Sequence, residues 1–149
     1  MWLARALPDD GYILTIEGRD THAAMGHENI DRANLKQTVE LKCGRAADIL
    51  KALPEDTEPF DFIFIDADKQ SYPEYLELSL KLSRSGTVIF LDNVIRAGAI
   101  IDADNNKPSI EGIRSMFEAM QNHPRLLSST ALQTVGSKGH DGFALAIVK

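Results

Sequence analysis

The chain has 149 residues, 44% of them apolar and 26% charged, and a formal net charge of −6. That length suits one domain with a hydrophobic core and is too short for two ordinary domains. The acidic balance disfavours a large nucleic-acid footprint, which needs clustered Lys and Arg. No run of about eighteen apolar residues occurs, so no membrane span is predicted. The single cysteine, Cys43, rules out an intrachain disulfide, and a reduced, cytoplasmic compartment is expected.

Residues 1–7 read as the end of an amphipathic helix, and a Pro-Asp-Asp-Gly turn follows them. From there, β-rich runs alternate with helical stretches. The predicted strands are residues 12–17, 38–43, 60–66, 86–92, 129–135 and 143–148. The predicted helices are residues 21–34, 46–53, 72–83 and 109–120. Because a doubly wound domain rarely begins within a helix, we expect a further segment to precede this one.

This alternation predicts the fold class. Strand–helix–strand repeats indicate a Rossmann-like, doubly wound α/β sheet that is mostly parallel, formed by a single domain over residues 1–149. The runs IFI and VIFL are nearly continuous apolar stretches, which are typical of strands buried on both faces. Only residues 136–142 separate the last two strands. These two strands are predicted to form an antiparallel hairpin, because a parallel pair needs a long crossover.

Polar residues end the third and fourth strands, where ligands of open α/β sheets bind. Asp66 ends the third strand, and Asp92 and Asn93 end the fourth. Two carboxylates held close together repel each other and favour a cation between them, and Asn93 adds a neutral oxygen. Such hard oxygen donors suit magnesium better than zinc. The alternative is that each Asp caps the helix or turn that follows it.

Lys69 lies three residues after Asp66 and is the candidate general base. A partly desolvated lysine beside a bound dication can accept a proton near neutral pH. Without the metal, the simpler interpretation is a surface lysine paired with Asp68.

Two further positions suit an adenosine-containing ligand. Glu17 ends the first strand, where a carboxylate can accept hydrogen bonds from both hydroxyls of a ribose; a solvated carboxylate is the alternative. Gly44 opens a small-residue turn after the second strand, which lets backbone amides approach a flat ring such as adenine. That turn is also consistent with an ordinary strand-to-helix connection. The glycines of residues 139–142, in the last hairpin, need only indicate a tight turn.

Four motifs together resemble a known family. FDFIFIDADK and VIFLDN, with TIE upstream and DGFALA near the end, look like the divalent-metal-dependent S-adenosylmethionine O-methyltransferases of the caffeoyl-CoA and catechol type. The resemblance spans essentially the whole chain, and IDADK with LDN at this spacing is its most specific part. It implies a class I methyltransferase fold, S-adenosylmethionine and Mg²⁺ (or another divalent cation) as cofactors, and a small hydroxylated acceptor such as a catechol or caffeoyl ester. A hydroxylated tRNA base is a less favoured acceptor, and a homo-oligomer such as a dimer is expected.

The resemblance also implies a role for each matching residue. Asp66, Asp92 and Asn93 match the metal ligands, and Lys69 with Asp66 forms the catalytic set. The cofactor-binding residues are Glu17, Gly44, Ala46 and Asp66, and the substrate-side residues are Lys69, Asn93 and Asp141, the last of these in the DG turn.

The sequence departs from that family at its N-terminal side. The family's first strand and its E-x-G-x-x-x-G loop have no counterpart in these residues. In the family's strand order, 3-2-1-4-5-7-6, the missing strand is central, so two apolar strand edges would be exposed. We therefore expect that the chain closes the gap itself, borrows a strand from a partner, or is an N-terminally truncated fragment.

Two other functions compete with O-methyl transfer. A catalytically inactive fragment or assembly module would keep the fold without binding the cofactor, and the missing glycine-rich loop favours it. A nicotinamide-dependent Rossmann enzyme needs G-x-G-x-x-G after the first strand; nothing after Glu17 supplies it, so this function is disfavoured.

Overall fold

A computed structural model describes residues 1–137 and 139–149 of the chain. The chain divides into two compact units, Met1–Pro54 and Glu55–Lys149. The assignment of residues 1–149 to a single domain stays a prediction. No helix in the described part of the chain is long and apolar enough to cross a membrane.

The first unit contains a short parallel sheet. Its elements are α1 (Trp2–Arg5), β1 (Ile13–Glu17), α2 (Asp20–Arg32), β2 (Val39–Cys43) and α3 (Ala46–Lys51). Strands β1 and β2 pair in parallel, with α2 as the crossover between them. Gly26 lowers the intrinsic helix propensity of α2 but allows it to approach β2, because an added Cβ would lie 2.5 Å from Leu41 Cδ1.

The second unit contains a mixed four-stranded sheet. Its elements are β3 (Phe60–Ile65), a 3₁₀ turn (Lys69–Ser71), α4 (Tyr72–Lys81), β4 (Ser83–Asp92), a 3₁₀ segment (Arg96–Ile101), α5 (Pro108–Gln121), β5 (Leu126–Gly136) and β6 (Gly139–Val148). The strand order is β3-β4-β6-β5. Strands β3 and β4 are parallel, whereas β6 is antiparallel to both of its neighbours, β4 and β5. The predicted C-terminal hairpin is confirmed.

Alternation along the strands separates two faces of this sheet. One face is buried with the apolar sides of α4 and α5; its residues include Ile65, Ile89, Leu91, Ala144, Ala146 and Val148. On the other face, Phe64 stacks on Phe90, which in turn stacks on Phe143. Phe62 and Phe64 are 44% and 49% exposed. The prediction that β3 is buried on both faces is therefore wrong: Ile65 faces the core, whereas the face that carries Phe62 and Phe64 is half exposed.

The observed strand order matches the family's order, 3-2-1-4-5-7-6, with the family's strand 1 left out. The described strands form two sheets, β1-β2 and β3-β4-β6-β5. None of the described strands takes the place of the family's first strand. Strand exchange with a partner and truncation stay predictions.

The last hairpin differs from its predicted form. Pairing between β5 and β6 continues to Gly136 opposite Gly139, so both strands are longer than predicted and the turn is shorter. Asp141 and Gly142 consequently lie within β6 and not in a turn. Gly142 is needed for packing, because an added Cβ would lie 2.2 Å from the carbonyl oxygen of Leu132 on the neighbouring strand.

The Gly112→Ala substitution tests how tightly α5 packs on the 3₁₀ turn. An added Cβ would lie 2.4 Å from the Lys69 carbonyl oxygen and 2.6 Å from Gln70 Cα. Alanine normally stabilises a helix by about 1 kcal/mol over glycine, but here the contact with rigid backbone dominates. We expect urea unfolding to show a net destabilisation of about 1–3 kcal/mol. The control is Gly136→Ala, whose Cβ meets nothing within 4 Å. Equal stability of the two variants would contradict the expected packing.

Candidate functional site

In the first unit, three predicted cofactor residues lie around the carboxyl ends of β1 and β2. The Gly44 N–H donates to the Glu17 carbonyl oxygen at 2.9 Å, so the end of β2 is held against the end of β1. Gly44 has φ +146°, a backbone conformation that favours glycine, and Ala46 begins α3 two residues later. The Glu17 side chain accepts a hydrogen bond from the Arg19 N–H at 3.0 Å. These residues occupy the end of the sheet where open α/β folds bind ligands.

In the second unit, the register of β3 and β4 brings Asp66 and Asp92 to the same level. Ile65 pairs with Leu91, and one Asp follows each of them. Neighbouring strands lie about 4.8 Å apart, so the two carboxylates leave adjacent backbone positions. The prediction that both residues lie at one edge of the sheet agrees with this register. Whether they bind a metal is a separate question.

Tyr72 ties these two strand ends together, and sequence reasoning missed it. Its hydroxyl lies 2.7 Å from the Asp92 carbonyl oxygen and 3.2 Å from the Ile65 carbonyl oxygen. The residue is fully buried. Burial raises the pKa of the Tyr72 phenol, and the nearby carboxylates of Asp66 and Asp92 raise it further. The sequence marks Tyr72 only as the first residue of a helix, so its contacts carry no local signal.

Lys69 is buried and not on the surface, with 9% of its area exposed. Its Nζ lies 2.8 Å from Asp66 Oδ1 and 4.9 Å from the centroid of the Tyr72 ring. Asp68, the partner in the simpler interpretation, accepts a hydrogen bond from the Tyr75 hydroxyl at 2.6 Å. The ammonium group therefore offsets part of the negative charge that Asp66 and Asp92 concentrate at this edge.

Asn93 follows Asp92 in a left-handed backbone conformation, with φ 55°. Asn is among the few non-glycine residues that adopt this region readily. The Asn93 N–H donates to Asp92 Oδ1 at 2.8 Å, so Asp92 also makes a local turn contact of the kind the capping alternative predicts. The Asn93 side-chain amide donates to Asp141 Oδ2 at 3.3 Å.

Asp141 is held by backbone donors. Its Oδ1 accepts hydrogen bonds from the N–H groups of Ile95, Arg96 and Gly142, at 3.2, 3.0 and 2.9 Å. Burial by itself would raise the pKa of the Asp141 carboxyl, but these backbone donors outweigh it and hold the pKa below its usual value. Asp141 is thus engaged within the protein, and its predicted role as a substrate-side acid stays a prediction.

The donor set of the second unit fits a hard divalent cation. Asp66 and Asp92 offer carboxylate oxygens. Asn93 offers its carboxamide oxygen, because its amide nitrogen donates a hydrogen bond to Asp141. Magnesium prefers such oxygen ligands, completed by water or substrate oxygens. Among the described residues, no three or more His, Cys, Asp and Glu side chains come together as a metal site. The set therefore depends on Asn93 as its third protein ligand.

The fold is that of a Rossmann-like methyltransferase. The strand order places an antiparallel last strand between β4 and β5; acidic residues end β1 and β4, and Asp66 directly follows β3. The sequence profile of the O-methyltransferase family matches residues 1–146. The chain belongs to the O-methyltransferase family, and the predicted resemblance is confirmed.

Relatives of this chain include proteins named as O-methyltransferases and O-methyltransferases of known structure. A catechol O-methyltransferase from Niastella koreensis is 49% identical over 150 residues, covering 100% of this chain and 67% of the relative. The catechol O-methyltransferase of Mycobacterium tuberculosis is 42% identical and is covered over 66% of its length. A Bacillus cereus O-methyltransferase, whose crystal structure was solved in complex with SAH, is 53% identical in sequence. Its structure superposes with a TM-score of 0.95, and the match covers 99% of this chain and 67% of that one. The chain spans about two thirds of the length of these relatives.

The Tyr72→Phe substitution tests the tie between the two strand ends. It removes the hydroxyl that contacts the Asp92 and Ile65 carbonyl oxygens in a buried environment. We expect a loss of about 1–3 kcal/mol in the free energy of unfolding, measured by chemical denaturation. The matched control is Tyr12→Phe, whose hydroxyl contacts Glu40 at an exposed position and which should cost less than about 0.5 kcal/mol. The tie is refuted if Tyr72→Phe costs no more than the control.

Proposed function

We propose that this chain is part of an S-adenosylmethionine-dependent O-methyltransferase that uses a divalent cation to methylate a catechol-like or other small hydroxylated acceptor. The observation that carries the proposal is the cluster at the ends of β3 and β4, where Asp66, Asp92, Asn93 and buried Lys69 lie together in the second unit. Relatives named as catechol O-methyltransferases, and the solved relative in complex with SAH, support the reaction and the cofactor.

The cofactor's role is to supply a methyl group on a positively charged sulfonium. In the proposal, the Glu17 carboxylate accepts hydrogen bonds from the ribose hydroxyls. The contacts of this carboxylate with the Arg19 N–H and with the His22 ring both use Oε1, at 3.0 and 3.8 Å. The backbone at Gly44 and Ala46 would lie beside the adenine ring, where the absence of a Cβ at Gly44 permits close approach.

On the acceptor side, Asp66, Asp92 and Asn93 would hold the divalent cation. Such an ion would make a hydroxyl beside it easier to deprotonate. In the proposal, Lys69 is a neutral amine while the cation is bound, and its Nζ takes the proton of the reacting hydroxyl. The cofactor would supply its methyl group to the hydroxyl oxygen and would leave as S-adenosylhomocysteine. Positioning of the two reactants supplies much of the remaining rate enhancement.

A second candidate is an inactive fragment or assembly module that keeps the fold. The E-x-G-x-x-x-G loop is not found in the 149 residues, and this observation favours it. Cofactor binding separates the two candidates. A hydroxylated tRNA base stays a less favoured acceptor, since the net charge of −6 weighs against nucleic acid.

Calorimetric titration of the chain with S-adenosylhomocysteine tests the proposed function, and a separate titration with Mg²⁺ tests the metal site. We expect cofactor binding with a Kd on the order of 1–100 μM. Binding of Mg²⁺ should be abolished by Asp92→Ala and retained by Asp61→Ala, a change at the exposed start of β3. Absence of cofactor binding would instead favour the inactive module. Unchanged Mg²⁺ binding in Asp92→Ala would refute the assigned ligands.

The Lys69→Ala substitution tests the proposed base. If Nζ accepts the acceptor's proton, kcat should fall by about 10²–10⁴-fold while the affinity for S-adenosylhomocysteine changes little. The measurement is the initial rate of methyl transfer from labelled S-adenosylmethionine to catechol, paired with calorimetry. Lys81→Ala, at an exposed position of α4, is the control and should retain the wild-type rate. A wild-type rate in Lys69→Ala would remove this residue from the mechanism.

A further inference from the structure

We propose that Asp141 is a positioning residue, which orients the Asn93 carboxamide so that its oxygen faces the bound cation. This inference rests on the proposed metal site and gives Asp141 a role other than the substrate-side acid that the resemblance implies. The contacts of Asp141 and Asn93, both in the second unit, support this role.

Both carboxylate oxygens of Asp141 have donors within the protein. Oδ1 accepts three backbone N–H groups, and Oδ2 accepts the Asn93 amide at 3.3 Å. Pairing of β6 with β5, which places Asp141 opposite Thr134, fixes the backbone from which this carboxylate extends. Three donors saturate Oδ1, so only Oδ2, which already accepts the Asn93 amide, has capacity for a further contact.

The carboxamide of Asn93 has one donor end and one acceptor end. If it were reversed, its oxygen would face the Asp141 carboxylate at 3.3 Å, and two acceptors at that distance repel. With the amide nitrogen held by Asp141, the carboxamide oxygen points away from that residue. The Asn93 backbone is fixed as well, by its left-handed φ of 55° and by the hydrogen bond from its N–H to Asp92. One rotamer thus presents the oxygen as a ligand.

The same carboxylate also fixes the loop that follows Asn93. It accepts the N–H groups of Ile95 and Arg96, just where Arg96 and Ala97 have φ of 54° and 56°. A non-glycine residue in this region is strained, and the hydrogen bonds to Asp141 help to offset that strain. Ligand orientation and loop conformation therefore share one anchor, and loosening it should disturb both.

The test is Asp141→Asn, with Mn²⁺ alone as the probe. This change keeps one oxygen for the backbone donors but places an NH₂ group against the NH₂ group of Asn93. Relief of that conflict turns the Asn93 amide nitrogen toward the ion. We expect Kd for Mn²⁺, measured by electron paramagnetic resonance of free Mn²⁺, to rise by about 10–100-fold. The matched control is Asp102→Asn in an exposed turn, which should leave Kd unchanged.

A double-mutant cycle separates positioning from plain stabilisation. If Asp141 acts through Asn93, then in an Asn93→Ala background the Asp141→Asn change should alter Kd for Mn²⁺ by less than about twofold. If Asp141→Asn raised Kd in that background by the same factor as in the wild-type chain, the inference would be overturned. The inference would also be overturned if the wild-type chain bound Mn²⁺ and Asp141→Asn left Kd unchanged, although the metal site itself would then stand. If the wild-type chain binds no Mn²⁺, the proposed metal site fails and this inference fails with it.

A measurement on the wild-type protein tests the contact between Asp141 and Asn93 without a variant that must fold. The side-chain amide protons of Asn93, followed by NMR, should exchange with solvent more slowly than those of exposed Asn122. Equal exchange of the two amides would show that Asp141 does not hold Asn93, and it would overturn the inference without reference to any metal.

Discussion

The parallel pairing of β3 with β4 is the constraint on which the second unit depends. It sets Ile65 against Leu91, so Asp66 and Asp92 follow at one level, and two negative charges are brought close together. That arrangement is unfavourable unless positive charge or hydrogen-bond donors compensate it. Lys69 supplies the positive charge, whereas the Tyr72 hydroxyl contacts the backbone carbonyl oxygens of Asp92 and Ile65; both residues come from the segment that immediately follows β3. Packing of α5 through Gly112 keeps that segment in place.

The polar groups of this edge are tied in pairs, and each pair orients an atom that the proposed chemistry uses. Lys69 is held against Asp66, and Asn93 is held between the backbone contact to Asp92 and the side-chain contact to Asp141. Preorganised groups of this kind need little rearrangement when a ligand arrives, which is where much of the rate enhancement of an enzyme originates. The loop after Asn93 shares the same anchor, so the conformation of this loop and the proposed metal site would be coupled through Asp141.

Most of the proposed cofactor-binding residues lie in the first unit, whereas all of the proposed metal ligands lie in the second. Glu17, Gly44 and Ala46 belong to the first unit, whereas the metal-side residues belong to the second and are held by contacts within it. The chain spans about two thirds of the length of its relatives, and its residues include no E-x-G-x-x-x-G loop. Cofactor binding and metal binding are therefore separate questions for this chain, and each has its own measurement.

The sequence by itself determined the elements and predicted the class of site. Periodic apolar runs predict the six strands and four main helices, and Asp66 with Asp92 and Asn93 at strand ends indicates hard oxygen donors, because these signals are local. Only the tertiary structure decided the ends of β5 and β6, the half-exposed face of β3, and the roles of Tyr72 and Gly112. It also placed Asp141 in a strand, engaged by three backbone N–H groups and by Asn93. Each of these depends on contacts between residues distant in sequence, which no local pattern encodes.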